Sequence, residues 1–200
     1  MSFSNKQYTG ERFTDVDLTD ETLIGCTFIK CDFRGTVFSG ALIEKCRFSA
    51  CTFDFARMND TLSRGSSYEN CTFSAASLFV AEFHDCRLTG CSFNGADLTG
   101  WTVKGGMLDY SMLDEAALKK QKFSGVSLRG VNFSDADLEK ADLSGCDLTE
   151  TIFRNTKLKG ADLRGVKWDR TDIRNARLEE TAVDLDGAVY LARCMGAVLR

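Results

Sequence analysis

At 200 residues, with 44% hydrophobic and 27% charged side chains, the chain has the balance of an ordinary globular protein. Its net charge of −4 argues against a general affinity for nucleic acid or anionic membrane. No apolar run reaches the ~18 residues of a membrane span. The opening MSFSNKQYTGERF lacks the basic-then-apolar layout of a secretory signal, so the expected location is the cytoplasm, where thiols stay reduced.

From residue 3 onward one pattern runs almost to the end. Every position numbered 3 or 8 in its block of ten carries a large apolar residue: Phe3, Tyr8, Phe13, Leu18 and Leu23 at the start, Trp168, Ile173, Leu178 and Val183 at the finish. Of 37 such positions only Ser63 departs. Two residues earlier the side chain is usually small, as in Cys26, Cys31, Thr36, Ala41 and Ala136, and two residues later it is often glycine. A period of five fits neither the 3.6 of an α-helix nor the 2.0 of a strand. It fits a square coil in which each pentapeptide makes one side, the large and the small residue point inward, and residues twenty apart stack. Residues 1–184 then form an all-β, quadrilateral β-helix of about nine coils, roughly 43 Å long at ~4.8 Å per coil. The complete lack of proline suits a chain whose backbone N–H groups are needed in ladders.

On this phase eight of the nine cysteines fill the inward small position. Cys31, Cys51, Cys71 and Cys91 form one vertical file, with Phe13, Phe33, Phe53, Phe73 and Phe93 beside it. Zinc sites want CxxC pairs and convergent ligands. Five-residue spacing alternating with Phe reads instead as small, dense hydrophobes against rings, so neither metal nor cofactor is expected. His84 is the only histidine and points outward, without a partner for nucleophilic catalysis. The chain reads as a non-enzyme. Aspartates preceding Leu (Asp17, Asp97, Asp137, Asp142, Asp147, Asp162) belong to the repeat, as residues of a polar outer wall favoured at the turn.

Two stretches are weak enough to hold a bulge or a short loop. MNDTLSRGSSY (58–68) places Ser63 inward. GWTVKGGMLDYSMLDEAALKKQKF (100–123) puts Trp101 and Gln121 in small-residue positions and includes a segment of good helix propensity. Ile24, Ile29, Leu42, Phe55, Leu62, Phe79, Val80 and Tyr110 are expected on the outside. Asp97, Asp109, Asp114 and Glu115, with Phe79 and Tyr110, are candidate partner contacts. From Asp186 the pattern changes to helical spacing. Ala188, Leu191, Ala192, Met195, Val198 and Leu199 make an apolar stripe, so residues 185–200 are expected to cap the open coil edge and to dimerise.

The sustained repeat resembles the pentapeptide-repeat proteins, whose fold is a right-handed quadrilateral β-helix. A narrower resemblance lies in YTGERF…TLIGCTFIKCDFRG near the start and VDLDGAVYLARCMGAVLR at the finish. These look like the terminal segments of Qnr-type quinolone-resistance proteins and their relatives, the loopless mycobacterial MfpA and the microcin B17 immunity and albicidin-resistance proteins. That resemblance implies a homodimer joined through its C-terminal ends, a rod mimicking B-DNA, and binding to DNA gyrase or topoisomerase IV. It implies protection from quinolone or peptide poisons, hence antibiotic resistance, with no direct nucleic acid and no membrane. Qnr proteins of enterobacteria interrupt the coil with two loops. Here the five-residue phase never slips. The alternative is a scaffold of the same fold for another protein partner.

Overall fold

The computed structural model describes residues 3–198 and is a β-solenoid with one C-terminal helix. Six short strands (Phe3–Ser4, Thr22–Ile24, Leu42–Glu44, Leu62–Arg64, Glu82–His84 and Thr102–Lys104) build one parallel sheet, and five (Gln7–Thr9, Thr27–Ile29, Arg47–Ser49, Ser67–Glu69 and Arg87–Thr89) build a second. The register is twenty residues throughout, from Phe3 against Leu23 to Asp162 against Ala182. The other two sides of the coil, and every coil after Lys104, are joined by single parallel bridges such as Arg12–Asp32 and Asp17–Val37. Each rung is two backbone bonds: the Phe33 N–H donates to the Thr52 carbonyl (2.7 Å), and the Thr52 N–H donates to Cys31 (3.1 Å). At the corners the fifth residue sits in the left-handed region even where it is Lys30, Phe55 or Val80. The repeated rungs offset a conformational cost of ~1 kcal/mol at each such corner.

The large inward residues are buried in one continuous core. Phe13, Phe33, Phe53, Phe73 and Phe93 stack face to face at 4.9–5.0 Å with planes within 6–9°. A second file, Tyr8, Phe28, Phe48 and Tyr68, does the same at 4.8–5.0 Å. Ser63 proves to be no fault in the pattern: its hydroxyl lies 3.0 Å from the buried Tyr68 hydroxyl, five residues on, and satisfies it. Residues 58–68 therefore carry regular strands and no loop.

Small size is only half of what the inward Cys, Ser and Thr positions supply. Their side chains donate to the carbonyl 23 residues earlier: Thr61 to Phe38 (2.8 Å), Ser111 to Leu88 (2.7 Å), Thr151 to Leu128 (2.7 Å) and Cys51 to Phe28 (3.4 Å). The eight inward cysteines are free and buried. Burial raises the thiols of Cys46 and Cys146 to about 12, which leaves them unreactive at neutral pH.

The second suspect stretch is irregular in a different way from a loop or helix. Trp101 and Gln121 stand one above the other in a file otherwise occupied, among the described residues from Ala41 to Ala161, by Ala and Thr. The Trp101 ring is fully buried against Phe83 and Phe93, and the two coils separate around it. Rungs are intact at Ser92–Met112 and Met107–Ser127, but those due at Asp97–Ala117 and Thr102–Lys122 are not formed. In their place the Gln121 side-chain amide donates to the Trp101 carbonyl (2.8 Å). The chain then recovers through Gly105 and Gly106, both left-handed. A Cβ on Gly106 would lie 2.0 Å from the Cys86 carbonyl oxygen.

Two substitutions separate these contributions. Thr151→Val keeps the volume and removes the donor to Leu128, so it should lower stability by about 1–2 kcal/mol in urea unfolding; no change would show that size alone governs the position. Gly106→Ala should cost about 2–4 kcal/mol, against about 1 kcal/mol for Gly125→Ala, which is left-handed but has open space around it.

Candidate interaction surface

With the interior filled, any chemistry directed at a partner must come from the outward residues. Aspartates at the second position of a pentapeptide fold back on their own turn: Asp17, Asp97 and Asp147 accept the backbone N–H of Thr19, Thr99 and Thr149, and Asp142 that of Ser144. Where the fourth position is arginine the carboxylate also takes the guanidinium, as in Asp32–Arg34, Asp162–Arg164 and Asp172–Arg174. Those side-chain bonds, before any other cause, hold the carboxyls of Asp32, Asp162 and Asp172 below their ordinary range. The carboxylates of the outer wall are thus fixed in orientation, and the wall is finely mixed in sign. Glu82 receives both His84 (2.6 Å) and Lys104 (3.1 Å), which together, Lys104 foremost, lower its carboxyl. Among the described residues no cluster of His, Cys, Asp or Glu could hold a metal, and no helix is long and apolar enough to cross a membrane.

The residues picked out as candidate contacts do not form one site. Twenty-residue stacking puts Asp97 on the same side of the coil as Phe79, Asp109 and Tyr110 on another, and Asp114 with Glu115 on a third. Asp97 is engaged by Thr99, and Asp109 accepts from the Ser127 hydroxyl (2.6 Å) and the Arg129 N–H (3.2 Å). Tyr110 lies over Gly130, where a Cβ would come within 2.4 Å of its ring. Of the apolar residues expected outside, Ile24, Phe55, Phe79, Val80 and Tyr110 are exposed, while Ile29, Leu42 and Leu62 are half-covered. Met112, absent from that expectation, is exposed as well.

The C-terminal helix α1 (Leu185–Cys194) closes the last coil. Asp184 caps it by accepting the Gly187 N–H (2.9 Å) and also takes the Gly165 N–H (2.6 Å) that would otherwise lack a rung. Tyr190 stacks on Trp168 at 5.2 Å and donates to the Thr171 carbonyl (2.9 Å). The helix faces inward with Gly187, Tyr190 and Leu191. Leu191, counted in the dimerisation stripe, is therefore spent largely on the core. Ala188, Met195 and Val198 are exposed, with Met195 at 85% and Val198 at 81%; Ala192 is half-covered. Leu199 lies outside the described residues. Leu185, at 79% exposed, joins the apolar surface at this end.

A square coil with a five-residue side, built on stacked Phe and a small donor beneath, is the architecture of the pentapeptide repeat. The family descriptions agree: "Pentapeptide repeat region" matches residues 76–153, and "Pentapeptide repeats (8 copies)" matches residues 12–50 and 151–188. The chain belongs to the pentapeptide-repeat proteins, and its fold is the right-handed quadrilateral β-helix of that family. Among solved structures it is similar to QnrB1, a plasmid-mediated fluoroquinolone resistance protein. One trypsin-treated variant of QnrB1 matches at TM-score 0.86 and 23% identity, covering 100% of both chains. A second trypsin-treated variant matches at 0.84 and 24%, covering 99% of each, and the full-length protein at 0.65 and 22%, covering 98% of this chain and 100% of QnrB1. No curated protein sequence matches.

The fixed carboxylates carry a pH dependence. Since Asp32, Asp162 and Asp172 have lowered pKa values in the folded state, the stability they add is complete above the unfolded aspartate range near ~4 and is lost as pH falls through their folded values. The melting temperature should hold between pH 7 and 5 and decline below it. Asp172→Asn should lower the plateau and flatten that decline; an unchanged acid limb would show that the carboxylate adds nothing.

Proposed function

We propose that the protein is a non-enzymatic, cytoplasmic homodimer that takes the place of DNA on a type II topoisomerase, either DNA gyrase or topoisomerase IV. It thereby shields the enzyme from quinolones or peptide poisons and confers antibiotic resistance. The observation that carries this reading is the end-to-end likeness to QnrB1, which spans this chain's C-terminal helix as well as its coils, with no inserted segment to change the outline of the rod. The outward carboxylates add to it. Held by their own turns, they present negative charge at a spacing set by the ~4.8 Å coil repeat, and need no reordering on binding. The mechanism is shape and charge complementarity along the rod, with no bond chemistry. Dimerisation rests on the apolar end formed by Leu185, Met195 and Val198, which would otherwise face water. Two rods end to end span ~90 Å, comparable to ~26 base pairs of duplex at ~3.4 Å each.

A scaffold for some other protein is the second reading. It is favoured by one observation: the wall is not continuously negative, and Lys104, Lys119, Lys120 and Lys122 meet at one corner of the coil. Purified protein added to gyrase, plasmid and a quinolone separates the two. The leading proposal expects less cleaved plasmid in proportion to added protein, whereas unaltered cleavage and unaltered supercoiling would leave only the scaffold. Met195→Glu combined with Val198→Glu should convert the dimer to monomer in sedimentation velocity and abolish protection; a wild-type protein that sediments as a monomer would remove the dimer from the account.

A further inference from the structure

Where the coils part at Trp101 they leave a cleft of about 670 Å³, lined by Trp101, Lys104, Lys119, Lys120, Gln121 and Lys122 with intervening backbone. That volume is within the usual ~300–1,000 Å³ of ligand sites. No carboxylate lines it, in a chain with 29 acidic residues. Lys104 pairs with Glu82, and Lys119 with Asp137 and Glu139, at the rim; Lys120 and Lys122 have no ion pair among the described residues. The Thr102 hydroxyl is buried there without a partner.

The two walls of the cleft are facing edges of a parallel ladder, each carrying N–H groups and carbonyls in alternation. In intact coils the N–H of residues such as Leu78, Val80, Phe83 and Asp85 points up the rod and donates to the next coil, as Leu78 does to Asp97 and Val80 to Thr99. One coil further on, Leu98, Gly100, Val103 and Gly105 make no such bond among the described residues, and the carbonyls of Ala117, Lys119, Lys122 and Ser124 accept nothing from them. The junction above is whole again, with Leu118 donating to Asp137 and Phe123 to Asp142. The reverse bonds of these rungs are missing as well, so one wall offers the N–H groups of Leu98, Gly100, Val103 and Gly105 with the carbonyls of Ala96 and Trp101, and the other the carbonyls of Ala117, Lys119, Lys122 and Ser124 with the N–H groups of Ala117 and Lys122. A phosphate or a lone carboxylate, being only an acceptor, answers the N–H groups and leaves the open carbonyls of both walls unmet. An extended peptide presents carbonyls and N–H groups along both of its edges, in the alternation that a coil of the rod itself has.

We infer that this cleft is a docking site for an extended, acidic peptide segment of a partner protein, added as a strand along the open edge at Thr102–Lys104, with its carboxylates toward Lys120 and Lys122. The Gln121 amide, which bridges the cleft to the Trp101 carbonyl, is the group the peptide displaces. The inference holds whether or not the partner is a topoisomerase.

The test is fluorescence anisotropy on the full-length protein with a labelled, end-blocked peptide of alternating Glu and Val. Controls are the same peptide with Lys for Glu, one N-methylated at alternate amides, and inorganic pyrophosphate as competitor. The acidic peptide should bind at least tenfold more tightly than either peptide control. Lys120→Glu with Lys122→Glu should weaken it at least tenfold with unchanged circular dichroism. Trp101→Cys with Gln121→Ala, which gives the file small inward residues like those of the other coils and lets the rungs close, should abolish binding while the protein stays folded. Failure of the acidic peptide to bind, binding indifferent to N-methylation, or retention of binding by the Trp101→Cys, Gln121→Ala protein would overturn the proposal. Displacement by pyrophosphate together with indifference to N-methylation would reassign the cleft to simple anions.

Discussion

Everything in this molecule depends on the vertical backbone ladder, in which each coil bonds to the coils before and after it in a register of twenty residues. The ladder sets a ~4.8 Å repeat, and that repeat dictates which side chains can occupy a file. Aromatic rings meet the spacing by lying parallel, which is why Phe33, Phe53, Phe73 and Phe93 stack at 4.9–5.0 Å. The file beside them must be thin and must also satisfy a carbonyl, so Cys, Ser and Thr recur there with their donors aimed 23 residues back. Cysteine in this chain is an answer to packing and hydrogen bonding.

The same rule explains the one place where the rod opens. Trp101 above Ala81 and below Gln121 cannot be accommodated at the ladder spacing. The structure yields on two adjacent sides of the coil and stays closed on the others, where Met107 and Met112 keep their rungs. Strain is confined because a solenoid couples each coil only to its neighbours. Past this seam the core is filled chiefly by Leu; Phe133 and Phe153 are the inward pair that still stacks from coil to coil among the described residues, at 5.5 Å. The seam therefore marks a boundary between an aromatic half and a leucine-rich half of the rod.

Much of this was legible in the residues. A period of five with Phe or Leu inward can be read without any structure, and it assigned Cys31, Cys51, Cys71 and Cys91 to the interior. The size mismatch of Trp101 and Gln121 was visible too, but whether the chain would bulge, loop or part its coils depends on energies that a pattern does not carry. Ser63 looked like a defect because its partner, Tyr68, is identified by its hydroxyl and hidden by its fit to the apolar pattern. The direction of Leu191 was lost for a related reason: helical spacing marks a stripe, and only the docking of Tyr190 on Trp168 decides which edge of it is buried. The candidate contacts fall on three sides because residue type alone does not place them; position within a coil of twenty decides which can act together.

The twenty-residue ladder governs the molecule and, among the described residues, fails at a single seam. Amide hydrogen exchange read residue by residue tests it most directly. The account predicts fast exchange at Leu98, Gly100, Val103, Gly105 and Lys122. It predicts strong protection at Leu88, Phe93 and Leu108, which flank the seam and donate to Met107, Met112 and Ser127. Uniform protection through residues 96–124, equal to that of the coils on either side, would contradict it.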